Sequence, residues 1–435
     1  MPQPSAGGSR PAPVGPDAPR LLALAAYRFP HGDAMSNRLL HLVRSATPPG
    51  GSVIVVNDWP ADGTRPPTQL ALPAEVQVLT LAGARMGKLA RWWHRQWRPL
   101  RVLAALRRAG IDRRQLSAIC LPLGLWNLTT WAVLRLAVRR PVTVDIVERH
   151  DPQQFGRGRL TPYFIRHRWG MFLALRLADR IIAISSALHH DFAYRRPTLL
   201  VPPQVDRAAY EPPAPPSLDD GVRLLYAGTA SAKDLLSVVA EGIRRLPEAP
   251  RSRVRLTIAG MTRDQAISSS DLDSSSLDGL DEQVTFLGRV PREQVLAELR
   301  RAHFSILVRP DVGYSRAGFP SKVPESLAAG CPVLLNHTSD LARYVTDGRE
   351  GLVLPCPTPE DVRTALLRAL TMDDEGWRRM SHCARERADD FDYRVWTPVV
   401  SAFVIGGGDA AARGSGMESA ASSANSSAVS RRSGG

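Results

Sequence analysis

Of the 56 basic residues in this chain only three are lysine, Lys88, Lys233 and Lys322, and the last two follow glycine-bearing loops. In LLYAGTASAKD an apolar run ends at Gly228 and Thr229, and small residues lead on to Lys233. Glycine lets the backbone approach a ligand, and a loop entering a helix N-terminus offers free N–H groups to an anion. In RPDVGYSRAGFPSKVPESLAAG, Lys322 follows Gly318 and Ser321, with Ser321 placed as N-cap and Pro324 in the first turn, where a missing N–H costs nothing. A cation in a first turn opposes the helix dipole, so its presence points to another demand, such as a bound phosphate. Arg309 and Arg316 add positive charge nearby, and Glu325 suits the vicinal hydroxyls of a ribose. A plain strand-to-helix turn at Gly228 and a solvated surface around Glu325 are the bland alternatives.

In the first half of the chain, VTVDIVERHD sets Glu148, His150 and Asp151 directly after an apolar run, hence at the carboxyl end of a strand. Imidazole donates or accepts near neutral pH, which makes His150, with Glu148, a candidate for catalysis; a surface loop histidine is the alternative. Asp271 and Asp273 form an acidic DLD, but inside a serine-rich stretch and not at a strand end, so solvent is their expected partner. Cys120, Cys331, Cys356 and Cys383 never fall at the close spacings of a zinc site or a disulfide scaffold. No metal site is expected, and a reducing cytoplasm fits the cysteine usage.

The elements that must position these residues alternate. Strands are expected at 20–27, 52–56, 118–121, 142–147 and 180–184, with helical stretches between them, and again at 222–227, 254–259, 304–308 and 332–335, with helices at 235–246, 292–301, 322–329 and 360–370. That is α/β architecture with two Rossmann-like, doubly wound domains and a cleft beyond the carboxyl ends of their strands. The expected boundaries are a disordered leader at 1–19, a first domain at 20–201, a proline-rich linker at 202–220, a second domain at 221–376, closing helices at 377–405 and a disordered tail at 406–435. A length of 435 residues suits two domains, and 44% hydrophobic with 23% charged residues excludes a largely disordered chain. No run of about twenty apolar residues occurs, which excludes a spanning helix of the usual kind.

The second half resembles the retaining glycosyltransferases of family 4, which have the GT-B fold. The resemblance is carried by YAGTASAKD, VTFLGRVPREQV, AGFPSKVPESLAAGCPVLLN and SDLARYVTDGREGLVLP; the first half matches through YRFPHGDAMSNRL, VDIVERHD and ADRIIAIS. The wording of AGFPSK, PESLAAG and NHTSDLARYV is most similar to the bacterial exopolysaccharide or capsule branch. The resemblance implies a nucleotide-diphosphate-sugar donor held by the second domain, a glycan or lipid-linked acceptor held by the first, and no cofactor or metal. It implies Gly228 and Lys233 at the diphosphate, Glu325 at the ribose, and Gly32 of FPHGDA facing the donor phosphates. Two family positions depart: the first glutamate of the pair is Ala317, and the arginine after the first glycine is Thr229. Arg309, Arg316 and Lys322 are the candidates for the missing phosphate cation.

The net charge of +14 calls for a partner of opposite sign. Between Val76 and Ile111 there is no acid, yet basic residues from Arg85 to Arg108 interleave with Trp92, Trp93 and Trp97. Such a stretch suits a helix on an anionic membrane surface through residues 85–108, consistent with a cytoplasmic, peripheral protein; a solvated amphipathic helix is the alternative. A donor-binding GT-B protein without efficient turnover remains open because of Ala317 and Thr229. Nucleic acid is disfavoured, because no helix-turn-helix, zinc or RNA-binding signature accompanies the charge.

Overall fold

The computed structural model describes residues 18–25, 29–30, 34–57, 72–81, 97–123, 125–213, 217–229 and 233–406, with the side chains of 125–129 and 131 left aside. The expected leader up to residue 17, Gly32, residues 82–96 with Trp92 and Trp93, and the tail from residue 407 lie outside the described residues.

Near-continuous apolar runs become strands covered on both faces. β1 (Arg20–Ala25) and β2 (Ser52–Asn57) are buried almost throughout, and β1 pairs in parallel with β2, Leu22 opposite Ile54. With β3 (Val76–Thr80), β4 (Leu116–Pro122), β5 (Val142–Ile146), β6 (Arg180–Ala183) and β7 (Thr198–Leu200) they form a seven-stranded sheet in the order β3-β2-β1-β4-β5-β6-β7. The second sheet has six strands in the order β10-β9-β8-β11-β12-β13, built from β8 (Val222–Ala227), β9 (Val254–Ala259), β10 (Val284–Gly288), β11 (Phe304–Leu307), β12 (Val333–Asn336) and β13 (Gly351–Leu354). Every pairing within the two sheets is parallel. The strand order reverses at β1/β4 and at β8/β11, and a doubly wound sheet opens its ligand crevice at such points.

The expected strands are present, and four more join them: β3, β7, β10 and β13. Val76–Thr80 pairs with β2 as the sheet edge, and of the stretch 85–108 the described part holds the helix Arg98–Arg108. The start of the proline-rich segment is packed against the first domain and the C-terminal helices. Val201–Val205 is buried, Val205 bridges to Asp392, and the Arg38 guanidinium donates to the carbonyls of Val201 and Pro202 at 2.8 and 2.7 Å. The last helix, Tyr393–Ile405, crosses back to the first domain, where Val400, Phe403 and Val404 pack with β1 and the helix Ala34–Ala46.

The serine-rich loop is also more structured than its composition suggests. Leu272 and Leu277 are buried, and Asp271 accepts from the backbone N–H groups of Leu236 and Ser237, so it caps the helix Leu236–Arg244 instead of facing solvent. Asp273 is exposed and closes a local turn onto Ser276.

Candidate active site in the interdomain cleft

At the end of β8 the chain turns at Gly228, whose φ of +144° is a conformation that side chains rarely adopt. A Cβ at that position would lie 2.6 Å from Cε of Lys322, so the glycine makes room for the lysine. Gly260, at the end of neighbouring β9, has φ +117°, and a Cβ there would strike the carbonyl of Gly228 at 2.6 Å. Two glycines thus let two strand ends and a lysine stem converge.

Lys322 reaches across the Tyr226 ring, 3.7 Å from its centroid, to Asp234, where Nζ lies 2.7 Å from Oδ2. Arg309, just past the end of β11, donates from Nε to the other oxygen of Asp234 at 2.6 Å, and the Tyr226 hydroxyl donates to Oδ2 at 2.5 Å. Asp234 is 4% exposed. Burial alone raises its pKa, but Lys322 and Arg309 outweigh burial and hold the carboxyl far below the usual range. Burial lowers the pKa of Lys322, and Asp234 opposes that shift. Two cations share one carboxylate, which leaves the cluster net positive at the carboxyl ends of β8 and β11.

Glu148 comes from the facing domain, beyond the carboxyl end of β5, and meets Lys233 across the cleft at 2.7 Å. His150 Nε2 lies 3.0 Å from the other oxygen of Glu148 and 3.3 Å from the Tyr163 hydroxyl, while its Nδ1 faces Gln154 Oε1 at 3.1 Å. His167 packs against the His150 ring and accepts from the His150 backbone N–H. Burial raises the pKa of Glu148, but the His150 hydrogen bond and the Lys233 charge overcome it and bring the carboxyl down to about 2. Burial and His150 together push His167 down to about 4.

Glu325 also spans the domains. Its Oε1 accepts from Asn37 of the first domain and from Arg292 of the second, each at 3.0 Å. The remaining sequence candidates divide. Thr229 is exposed beside Gly228, whereas Arg316 is engaged in a two-point surface pair with Asp311 at 2.7 and 2.8 Å. Gly318 has φ −100° and ordinary clearance around its Cβ position, so its conformation does not demand glycine. Ser321 is not the expected cap: its backbone is already helical and its side chain makes no capping bond. Ala317 is fully buried, its carbonyl accepting from Ser185 Oγ at 2.9 Å.

Asp234, Tyr226, Arg292 and Asn37 are the residues sequence reasoning missed. Asp234 stood next to Lys233 and was legible as a carboxylate beside a cation cluster; the other three are brought in only by tertiary packing.

Residues 221–372 match the family model described as glycosyl transferases group 1. Whole-chain structural similarity extends further. HepE of Anabaena, solved with UDP and glucose, superposes with a TM-score of 0.62 at 14% identity over 88% of this chain and 98% of that one. The chain has the GT-B fold. The same GT-B arrangement relates it to sucrose-phosphate synthase of Thermosynechococcus elongatus, with a TM-score of 0.65 at 16% identity over 87% of this chain and 96% of that one. A trehalose-6-phosphate protein from E. coli bound with UDP-2-fluoro glucose gives 0.59 at 12% identity over 87% and 97%. No curated protein matches the chain. Among the described residues no group of three or more His, Cys, Asp or Glu is placed to hold a metal ion.

Proposed function

We propose that this GT-B protein is a glycosyltransferase that moves a sugar from a nucleotide-diphosphate-sugar to a lipid-linked or polysaccharide acceptor with retention of configuration. The observation that carries the reading is the cluster of Lys322, Arg309 and Asp234 at two strand ends of the second domain, with Lys233 beside it meeting Glu148 and, through it, His150 of the first domain. Lys322 and Arg309, oriented by Asp234, and Lys233, oriented by Glu148, offset the charge that develops on the leaving diphosphate, so no metal is required for that purpose. Glu325, held by Asn37 and Arg292, receives the ribose hydroxyls. The acceptor oxygen bonds to the anomeric carbon as the bond from that carbon to the phosphate oxygen breaks, and the acceptor proton passes to the departing phosphate. His150, flanked by Glu148 and Tyr163, orients the sugar or the acceptor at that point. HepE, with its UDP and glucose, supports a UDP-sugar as the first donor to test.

The acceptor is read as membrane-borne, in an exopolysaccharide or capsule pathway on the cytoplasmic side, with the basic, tryptophan-bearing stretch at 85–108 against anionic lipid. Within its described part, Trp97 and Leu100 are exposed, whereas Arg98 is buried and donates to the Ala25 carbonyl at 3.1 Å, so that arginine serves the fold and not the lipid. Ala317 and Thr229, where the family has a glutamate and an arginine, favour a second reading, a donor-binding protein with little turnover. Calorimetry with UDP-, GDP- and TDP-sugars, followed by hydrolysis and transfer assays, tests both. Binding with release of nucleoside diphosphate supports the enzyme, binding without release supports the second reading, and absence of binding defeats both.

A further inference from the structure

The helices Arg98–Arg108, Leu125–Val138 and Pro162–Leu177 are the connections β3 to β4, β4 to β5 and β5 to β6, each packed on the next. Right-handed crossovers advancing in one direction along a parallel sheet fall on one side, so the three form one layer over the first sheet. None of the three contains an acidic residue. From Pro152 to Ala178 there are five arginines and no acid. This layer, with the turns that lead into it, also carries nine of the eleven large apolar side chains that stand exposed among the described residues.

The exposure is sharpest on Pro162–Leu177. Trp169 is 54% and Phe172 45% exposed, their rings in edge contact at 5.8 Å, and Ile165 lies one turn earlier on the same helix. Arg168 is exposed beside Trp169, and the Arg176 guanidinium sits 4.9 Å from the Phe172 ring centroid. A water-facing helix of an ordinary soluble domain mixes charges of both signs and hides its aromatic residues. Arginine beside exposed Trp and Phe on a helix without an acid complements a surface that is anionic outside and apolar just beneath. The same helix reaches the cleft at its other end, where Tyr163 and His167 touch His150.

We propose that the exposed face of Pro162–Leu177 seats on an anionic lipid bilayer, with Trp169 and Phe172 in the interface and Arg168 and Arg176 on lipid phosphates, so that the cleft opens beside the membrane. This extends the membrane contact beyond residues 85–108 and rests on the glycosyltransferase reading only for what the seat delivers. The lipid contact and the nucleotide site are therefore tested separately. Flotation of the full chain on phosphatidylcholine vesicles with and without 30% phosphatidylglycerol reads the seat, and calorimetry with a UDP-sugar reads the cleft. The account expects recovery only with anionic vesicles, a fall with added salt, and at least a tenfold loss of vesicle affinity in Trp169→Ser with Phe172→Ser and in Arg168→Gln with Arg176→Gln. Both double variants should keep the parent's response to the UDP-sugar, whatever that response is, and the parent's circular dichroism. Since the arginine variant leaves the aromatic face intact, it serves if the serine variant fails to fold. Flotation of folded variants equal to the parent's overturns the proposal. So does recovery on neutral vesicles equal to that on anionic ones, a concentration-dependent dimer abolished by the same substitutions, or salt-sensitive oligonucleotide binding without vesicle binding.

Discussion

The helices of the two domains solve the same packing problem with opposite surfaces. In the second domain the outer faces are laced with short-range ion pairs, Glu241 with Arg245 at 2.9 Å, Glu360 with Arg363 at 2.7 Å and Glu375 with Arg379 at 3.1 Å. In the first domain the three-helix layer over the sheet has arginines, exposed aromatic rings and no acids. Paired surface charges contribute only a few tenths of a kcal/mol each, so their scarcity on the layer, where Arg135 pairs with Asp179, costs the fold little. What differs is the medium each surface suits: water for one and, on our proposal, an anionic interface for the other. Inside, both domains bury charge: the second gathers Lys322 and Arg309 around Asp234, with Lys233 meeting Glu148 across the cleft, and the first holds Arg38 against Asp145 at 2.8 Å.

That division can be broken most forcefully at its buried centre. Asp234→Ala strands Lys322 and Arg309 without their shared carboxylate, and removal of one partner from a buried ionic cluster costs about 3 to 5 kcal/mol, to be read in denaturant unfolding. Next in size, Lys233→Ala and Glu325→Ala should each weaken donor binding by about 1.5 to 3 kcal/mol while leaving the fold intact, as measured by calorimetry beside a melting curve. Ala317→Glu sharpens the comparison from within. Because the Ala317 side chain is completely buried, the new carboxylate must be desolvated, and the expected outcome is a loss of stability larger than any change in donor choice.

A smaller effect is expected with pH. His41 and His167 are held at about 4, His41 by burial and then Arg44, His167 by burial and then His150, whereas the ordinary value is 6.5. Their folded forms disfavour the proton, so the stability they contribute is complete above 6.5 and is lost as pH falls through about 4. The stability curve of His167→Gln should be flatter across that interval. Smallest of all, Glu375→Ala on the paired surface of the second domain should shift stability by no more than about 0.5 kcal/mol.

The architecture was legible because buried parallel strands write themselves as short apolar runs, as at Val53–Val56 and Val222–Ala227. β3 and β10 are sheet edges with broken apolar patterns, VQVLT and VTFLG, and no periodicity distinguishes such segments from loops. At the site, the rarity of lysine pointed to Lys233 and Lys322, and the position of VTVDIV pointed to Glu148 and His150. Partners 88 and 288 residues away in sequence arise only by tertiary packing, Asp234 for Lys322 within the second domain and Asn37 for Glu325 across the cleft. The misreading of Asp271 has a similar cause, since an aspartate in a serine-rich stretch looks solvated until the helix it caps is in place.

The central claim is that the cations between the two sheets hold the diphosphate of a nucleotide-sugar. Titration of UDP-glucose, GDP- and TDP-sugars into the full chain and into Lys233→Ala tests it most directly. The account predicts one preferred nucleotide-sugar, bound one per chain, with affinity about 10- to 100-fold lower in the variant. Equal binding by parent and variant, or no binding of any nucleotide-sugar by the parent, would contradict it.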